Sequence, residues 1–188
     1  MTLAELHQEI LSRCGEGYEN WTDRAHAVFK ASVYDLVKSG EYEPYDYHGL
    51  LFSSEKTLEA GTTDVLISKW LGDYKEYISC ISMKRSLGTQ VTKIDIVPKT
   101  SVLMGVLNPE LLTGVTQWTI SSTSAGKTLT FDSAISTTET ETATMLMLVW
   151  DTVVMDDDDT IISDYYSMGF INAVIDQSVR RIIGEVKQ

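Results

Sequence analysis

A few short stretches of this sequence hold residue types that do chemistry. Ala125-Gly126-Lys127-Thr128 carries the Gly-Lys-Thr end of a phosphate-binding loop. That loop needs a first glycine five residues before Gly126, and Ser121 stands there. It also needs a helix after the Lys-Thr pair, so that the helix N-terminus faces the phosphates. Leu129-Thr130-Phe131 reads as strand, so a hairpin turn is the expectation. The run Asp156 to Asp159 offers carboxylate oxygens of the kind that hard divalent cations prefer. It lacks the spacing and the glycine of a helix-loop-helix calcium loop, and adjacent side chains cannot all point at one ion. A solvated loop that caps the following helix is the expectation.

His7, His26 and His48 form no His-x-x-x-His pair, and no Gly-x-Ser-x-Gly elbow occurs. Cys14 and Cys80 are too far apart to define a disulfide framework and read as reduced, buried, small hydrophobes. Asn20-Trp21-Thr22 matches a glycosylation acceptor, but Met1 to Ile10 has neither the basic nor the apolar region of a secretory signal. Thr22 is expected to cap a helix instead. No residue is assigned to catalysis, to a cofactor or to a metal, and the expectation is a protein that is not an enzyme.

The elements that would position these residues follow from periodicity. Thr2 and Glu5 make a capping-box pattern, after which Leu3, Leu6, Ile10, Leu11 and Cys14 recur at helical spacing until Gly15 and Gly17. A second helix starts at Thr22-Asp23, carries Ala25, Val28, Phe29, Val33, Leu36 and Val37 on one stripe, and stops at Gly40. Glu41 to Gly49 holds Tyr42, Tyr45 and Tyr47 around Pro44 and reads as an irregular connector. Its tyrosines either wedge between helices and β region or anchor an interface.

Strand-like alternation takes over from Thr63. Lys75 to Met83 and Val91 to Val97 read as a hairpin or adjacent strands around Gly88, with turns at Pro98 and Pro109. Thr113 to Thr144 is roughly half serine and threonine, a composition for exposed strands and loops. Gln117 to Ile120 and Thr128 to Phe131 flank the Gly126 turn, and Thr142 to Val153 reads as a strand buried on both faces. A final helical stripe runs through Ile161, Tyr165, Met168, Ile171, Val174, Ile175, Val179, Ile182, Ile183 and Val186. Some 25 residues of helix would span about 35–40 Å. The acidic run before it, and Arg180, Arg181 and Lys187 near its end, suit the helix dipole.

The fold class is α+β. An N-terminal helical pair (1–40) and a long C-terminal helix (160–188) form a bundle, and a central β-rich insertion (63–155) makes hairpins or a small sandwich, all within a single domain 1–188.

Composition limits the function. The chain has 188 residues, 43% hydrophobic and 22% charged, enough for a sizeable core without a metal or disulfide staple. Its net charge is −12. A protein that grips nucleic acid needs lysines and arginines to replace phosphate counterions, and Lys84-Arg85 and Arg180-Arg181 are the only adjacent basic pairs. A negative wall could still line a channel through which DNA slides. Met145 to Trp150, the longest apolar stretch, is too short to span a bilayer, so a soluble protein made in a reducing cytoplasm is expected.

The order of elements resembles the head-to-tail adaptor (connector, or neck) proteins of tailed bacteriophages. The resemblance is sharpest from Gln117-Trp118-Thr119-Ile120, through the tight turn and Leu129-Thr130-Phe131, to Met145-Leu146-Met147-Leu148-Val149-Trp150, the acidic loop and the closing helix Tyr165 to Val186. His7 to Leu36 fits more loosely, and Leu50 to Leu71 has no counterpart. The resemblance implies a structural virion protein, assembled in the host cytoplasm and located at the neck. It would form a homo-oligomeric ring, typically dodecameric, between the portal protein and a tail, stopper or nozzle protein. DNA would pass through the centre without specific binding. Adaptors of this family often dock on the portal through C-terminal segments, which here implies Arg180, Arg181, Glu185, Val186, Lys187 and Gln188. The alternatives are a tail-completion or lower neck-ring protein, or an enzyme that binds a nucleotide or metal through Lys127 and Asp156, Asp157, Asp158 and Asp159.

Overall fold

The computed structural model describes residues 1–87, 94–98, 117–124, 126–131 and 140–186. It is a mixed helix-and-strand protein with two compact units. A helical unit gathers both chain ends, Met1–Leu51 and Trp150–Gln188, and a β-rich unit spans Phe52–Val149.

In the helical unit, α1 (Leu3–Cys14) starts with the expected capping box. The Glu5 amide donates to Thr2 Oγ1 over 3.2 Å, and the Thr2 amide donates to Glu5 Oε2 over 2.9 Å. Gly15 terminates it at φ +102°. Helix α2 (Thr22–Ser39) buries Ala25, Val28, Phe29, Val33 and Val37 and ends at Gly40 in the left-handed conformation. Thr22 does not cap it: the cap position falls on Trp21, which makes no side-chain cap bond.

The Tyr-rich connector is ordered as a 3₁₀ segment, Pro44–Leu50. Tyr42 and Tyr47 pack their rings on Phe170 of the closing helix, while Tyr45 is 71% exposed. Gly49 is required by close approach. A Cβ there would stand 2.4 Å from the Tyr165 Cβ, and the Gly49 amide donates to the Tyr165 carbonyl.

The β-rich unit holds β1 (Leu51–Leu58), β2 (Asp64–Leu66), the single turn α3 (Ser68–Leu71), β3 (Lys75–Leu87), β4 (Ile94–Pro98), β5 (Gln117–Thr123), β6 (Gly126–Phe131) and β7 (Glu141–Asp151). They make one seven-stranded sheet in the order β1-β7-β3-β4-β5-β6-β2. The two expected strand pairs are present. β3 and β4 run antiparallel with Met83 opposite Ile96, and β5 and β6 run antiparallel with Trp118 opposite Phe131. Pro98 stays in strand β4, opposite Trp118 in a parallel pairing. Gly88 and Pro109 lie outside the described residues.

Leu58, Met83, Trp118, Leu129, Phe131, Met145, Met147 and Val149 share one cluster with Trp70 and Leu71 of α3. Strands from both halves of the order therefore face the same core, and the sheet curls around it. In β7, Glu141, Ala143 and Met145 alternate with half-buried threonines and leucine, and burial becomes continuous from Met147 to Trp150. The insertion begins before residue 63, because Leu51–Leu58 is already strand. It ends before residue 155, because Asp151 caps a helical turn, α4 (Thr152–Met155), by accepting from the Val153 amide.

The closing helix α5 (Met168–Val186) has 19 residues, about 28 Å at the α-helical rise, and is shorter than its stripe implied. Ile161 and Tyr165 lie before it, around a 3₁₀ turn at Ile162–Asp164. The helix begins where the Ser167 hydroxyl accepts the Phe170 amide over 3.2 Å. The acidic run does not cap α5. It sits at the other end of the chain fold: the Ala4 amide donates to the Asp158 carbonyl and the Leu3 amide to the Thr160 carbonyl. Those are two of the donors that the start of α1 leaves without helical partners. The Asp157 side chain meanwhile accepts the Asp159 amide inside its own turn. Both cysteines are free thiols, and both are half-buried rather than fully buried. No helix of the described residues is long and apolar enough to cross a membrane.

Candidate functional site

The residues expected at the portal interface belong to the end of α5 and the tail after it, and the structure gives two of them, Arg181 and Glu185, internal partners. Arg181 pairs with Asp35, and Arg24 grips Glu185 with two nitrogens, Nε at 2.9 Å. Together with Arg13, whose Nη1 lies 3.0 Å from Asp176 Oδ1, these pairs lace α5 to α1 and α2. Exposed pairs of this kind contribute about 0–1 kcal/mol each, so they set register more than stability. Arg180 is exposed and lines a shallow cleft with Glu41, Tyr42 and Asp176. Val186 ends the helix, and Lys187 and Gln188 lie outside the described residues.

Lys127, the other residue with a chemical reading, belongs to strand β6, with Nζ 4.8 Å over the Tyr77 ring. The strand continues from Thr128 to Phe131, where a phosphate loop would start its helix. Lys127 sits in the β-rich unit, whereas Asp156 to Asp159 sit in the helical unit.

A second cluster forms around the acidic run. His7 falls on the buried stripe of α1 with Leu3, Leu6, Ile10 and Leu11. The first turns of α2 bring His26 beside it, ring centroids 5.2 Å apart and edge to face. Trp150, fully buried at the end of β7, packs against His26, Phe29 and Tyr34. Its indole Nε1 donates to Asp156 Oδ1 over 2.9 Å, and His26 Nε2 stands 3.3 Å from the same oxygen. Burial pulls the pKa of His7 down to about 4, the proximity of His26 pulls the same way, and the charge of Asp158 opposes both. His7 is therefore a neutral imidazole at neutral pH.

His7, His26, Asp156 and Asp158, with Thr22 and Asp23, line an open pocket of about 350 Å³. Sequence spacing gave no hint of it, because its residues come from three separate stretches of chain. The one available signal was the position of His7 among apolar residues at helical spacing. Among the described residues, no three His, Cys, Asp or Glu side chains converge closely enough to hold a metal ion. No protein-family model and no curated protein matches this chain.

Proposed function

We propose that this chain is a ring-forming structural subunit of a tailed-phage virion, one that joins the portal vertex to the tail and lets DNA pass. The observation that carries the reading is the plan of the chain. Both ends fold into one helical unit, and everything from Phe52 to Val149 is a β-rich insertion between α2 and the closing helix. That is the order of elements in head-to-tail adaptors. The net charge of −12 supports it, since a ring of such subunits offers DNA a repelling, low-friction wall.

In this reading the subunits meet head to tail, and the contact closes because the rotation between neighbours divides a full turn. The C-terminal end of α5 faces the portal. Arg180 and the tail Val186, Lys187 and Gln188 make the contact, while Arg181 and Glu185 hold α5 against α2.

Imaging the protein mixed with its portal tests the proposal. Rings seated on the portal vertex, lost when residues 186–188 are removed, are the expected result. Failure to join the portal in any assembly overturns it, and crosslinks to the tail tube alone would assign the chain to a lower neck ring instead.

A further inference from the structure

The adaptor reading leaves His7 unused. Its side chain is 2% exposed, and neither ring nitrogen has a hydrogen-bond partner. Buried polar groups are nearly always hydrogen-bonded, so a buried ring with two open nitrogens on a pocket wall calls for a ligand. The rest of the wall defines the ligand's charge. Asp23, Asp156 and Asp158 bring carboxylates, and Thr22 and His26 add a hydroxyl and a second imidazole. Asp156 is held in place by the Trp150 indole.

Three carboxylates exclude an anion. A single metal ion needs several ligand atoms within about 2–2.6 Å of one point, and these side chains do not converge so tightly. An ammonium or guanidinium group has different needs. Its N–H donors radiate, each reaching an acceptor at about 2.7–2.9 Å, so it can bridge acceptors spread around a pocket wall. A neutral His7 supplies one acceptor nitrogen.

We propose that this pocket receives the basic side chain, arginine or lysine, of a partner polypeptide. The chain's charge of −12 favours a basic partner, and a second copy would bring the same negative field. Arg13, Arg24 and Arg181 of the chain itself are already paired. The inference stands apart from the adaptor reading and does not depend on it.

The test follows the ring signals of His7 and His26 and the Trp150 indole by NMR in the full chain. Three capped tripeptides are added in turn, Gly-Arg-Gly, Gly-Lys-Gly and the uncharged Gly-citrulline-Gly. The arginine and lysine peptides are expected to shift these signals saturably, and the citrulline peptide is not. Asp158→Asn should weaken binding about tenfold, as for loss of one charge-assisted hydrogen bond. Asp23→Asn supplies a second charge deletion should the first disturb the turn at 156–160. The proposal falls if no peptide shifts the signals, or if citrulline matches arginine. It also falls if zinc chloride moves them at micromolar concentration while the peptides do nothing. Raising the protein concentration alone must leave them unmoved; a shift there would assign the pocket to a second copy.

Discussion

The two units reach a packed interior by different means. In the helical unit, rings pack on rings. Trp150 touches Phe29, Tyr34 and His26, and Phe170 touches Tyr42, Tyr47 and Tyr166. In the β-rich unit the core is built on Met83, Met145 and Met147, with Leu58, Leu129 and Val149, around Trp70, Trp118 and Phe131. Edge-to-face rings fix relative orientation, while the thioether chain of methionine fills irregular space and adapts. The helical unit is thus built as a platform of defined shape, and the β-rich unit tolerates repacking.

The largest expected effect tests that difference directly. Trp150→Ala removes a fully buried indole from the aromatic hub together with its hydrogen bond to Asp156. A loss of about 3–5 kcal/mol is expected. Met145→Leu, equally buried but volume-conserving, should cost less than about 1.5 kcal/mol. Denaturant midpoints measure both, and equal losses would erase the contrast.

Acid and alkali each probe one buried group, the first in the helical unit and the second in the β-rich unit. The sequence's histidines, His7, His26 and His48, all belong to the helical unit. His7 is held neutral, with its pKa lowered from 6.5 to about 4. The unfolded chain binds this proton more readily, so the contribution is complete above pH 6.5 and is lost as the pH falls through 4. It amounts to about 3 kcal/mol. In the β-rich unit, burial raises Cys80 from 9.0 to about 12. Its thiol contributes stability that is complete below pH 9 and is lost as the pH climbs towards 12. His7→Phe should flatten the acid arm of a stability–pH curve and Cys80→Ala the alkaline arm. An acid arm unchanged by His7→Phe would break the assignment.

One glycine from each unit gives a third comparison. Gly49→Ala drives a methyl into Tyr165 and should cost about 3 kcal/mol, the upper end of overpacking. At Gly72, with φ +71° and open space around it, alanine meets only backbone strain, about 1–2 kcal/mol. Thermal melts of the two variants rank them, and the reverse order would overturn the packing argument.

Local signals explain what was legible in the sequence. The Thr2 and Glu5 cap, the stop at Gly40, the β5–β6 hairpin and the buried strand before Asp151 each depend on neighbours a few residues away. What failed depended on distance. The acidic run precedes a helix in sequence and so suggests a cap for it, but the carbonyls of Asp158 and Thr160 serve α1, some 150 residues upstream, and no local rule reports that. Ile161 and Tyr165 sit at helical spacing, yet Ile161 is exposed in a bridge to Thr2 and Tyr165 follows a 3₁₀ turn. Strand β1 is not legible in the sequence because Ser53-Ser54-Glu55-Lys56 has no alternation to read. The His7 pocket was invisible for the same reason as the acidic run.

The smallest effect concerns the start of α1, where local and distant caps act together. Thr2 Oγ1 accepts the Glu5 amide, while Thr160 and Asp158 carbonyls take the Leu3 and Ala4 amides. Thr2→Ala removes one acceptor of the three and leaves the other two in place. A cap threonine is ordinarily worth about 1 kcal/mol. If the acidic turn carries the helix start by itself, the loss should fall to a few tenths of that, and amide exchange at Leu3 and Ala4 should stay slow. If Thr2 organises the turn, all three amides should exchange faster together. The exchange pattern, more than the stability change, therefore decides whether the helical unit is nucleated by its first residues or clamped by its last.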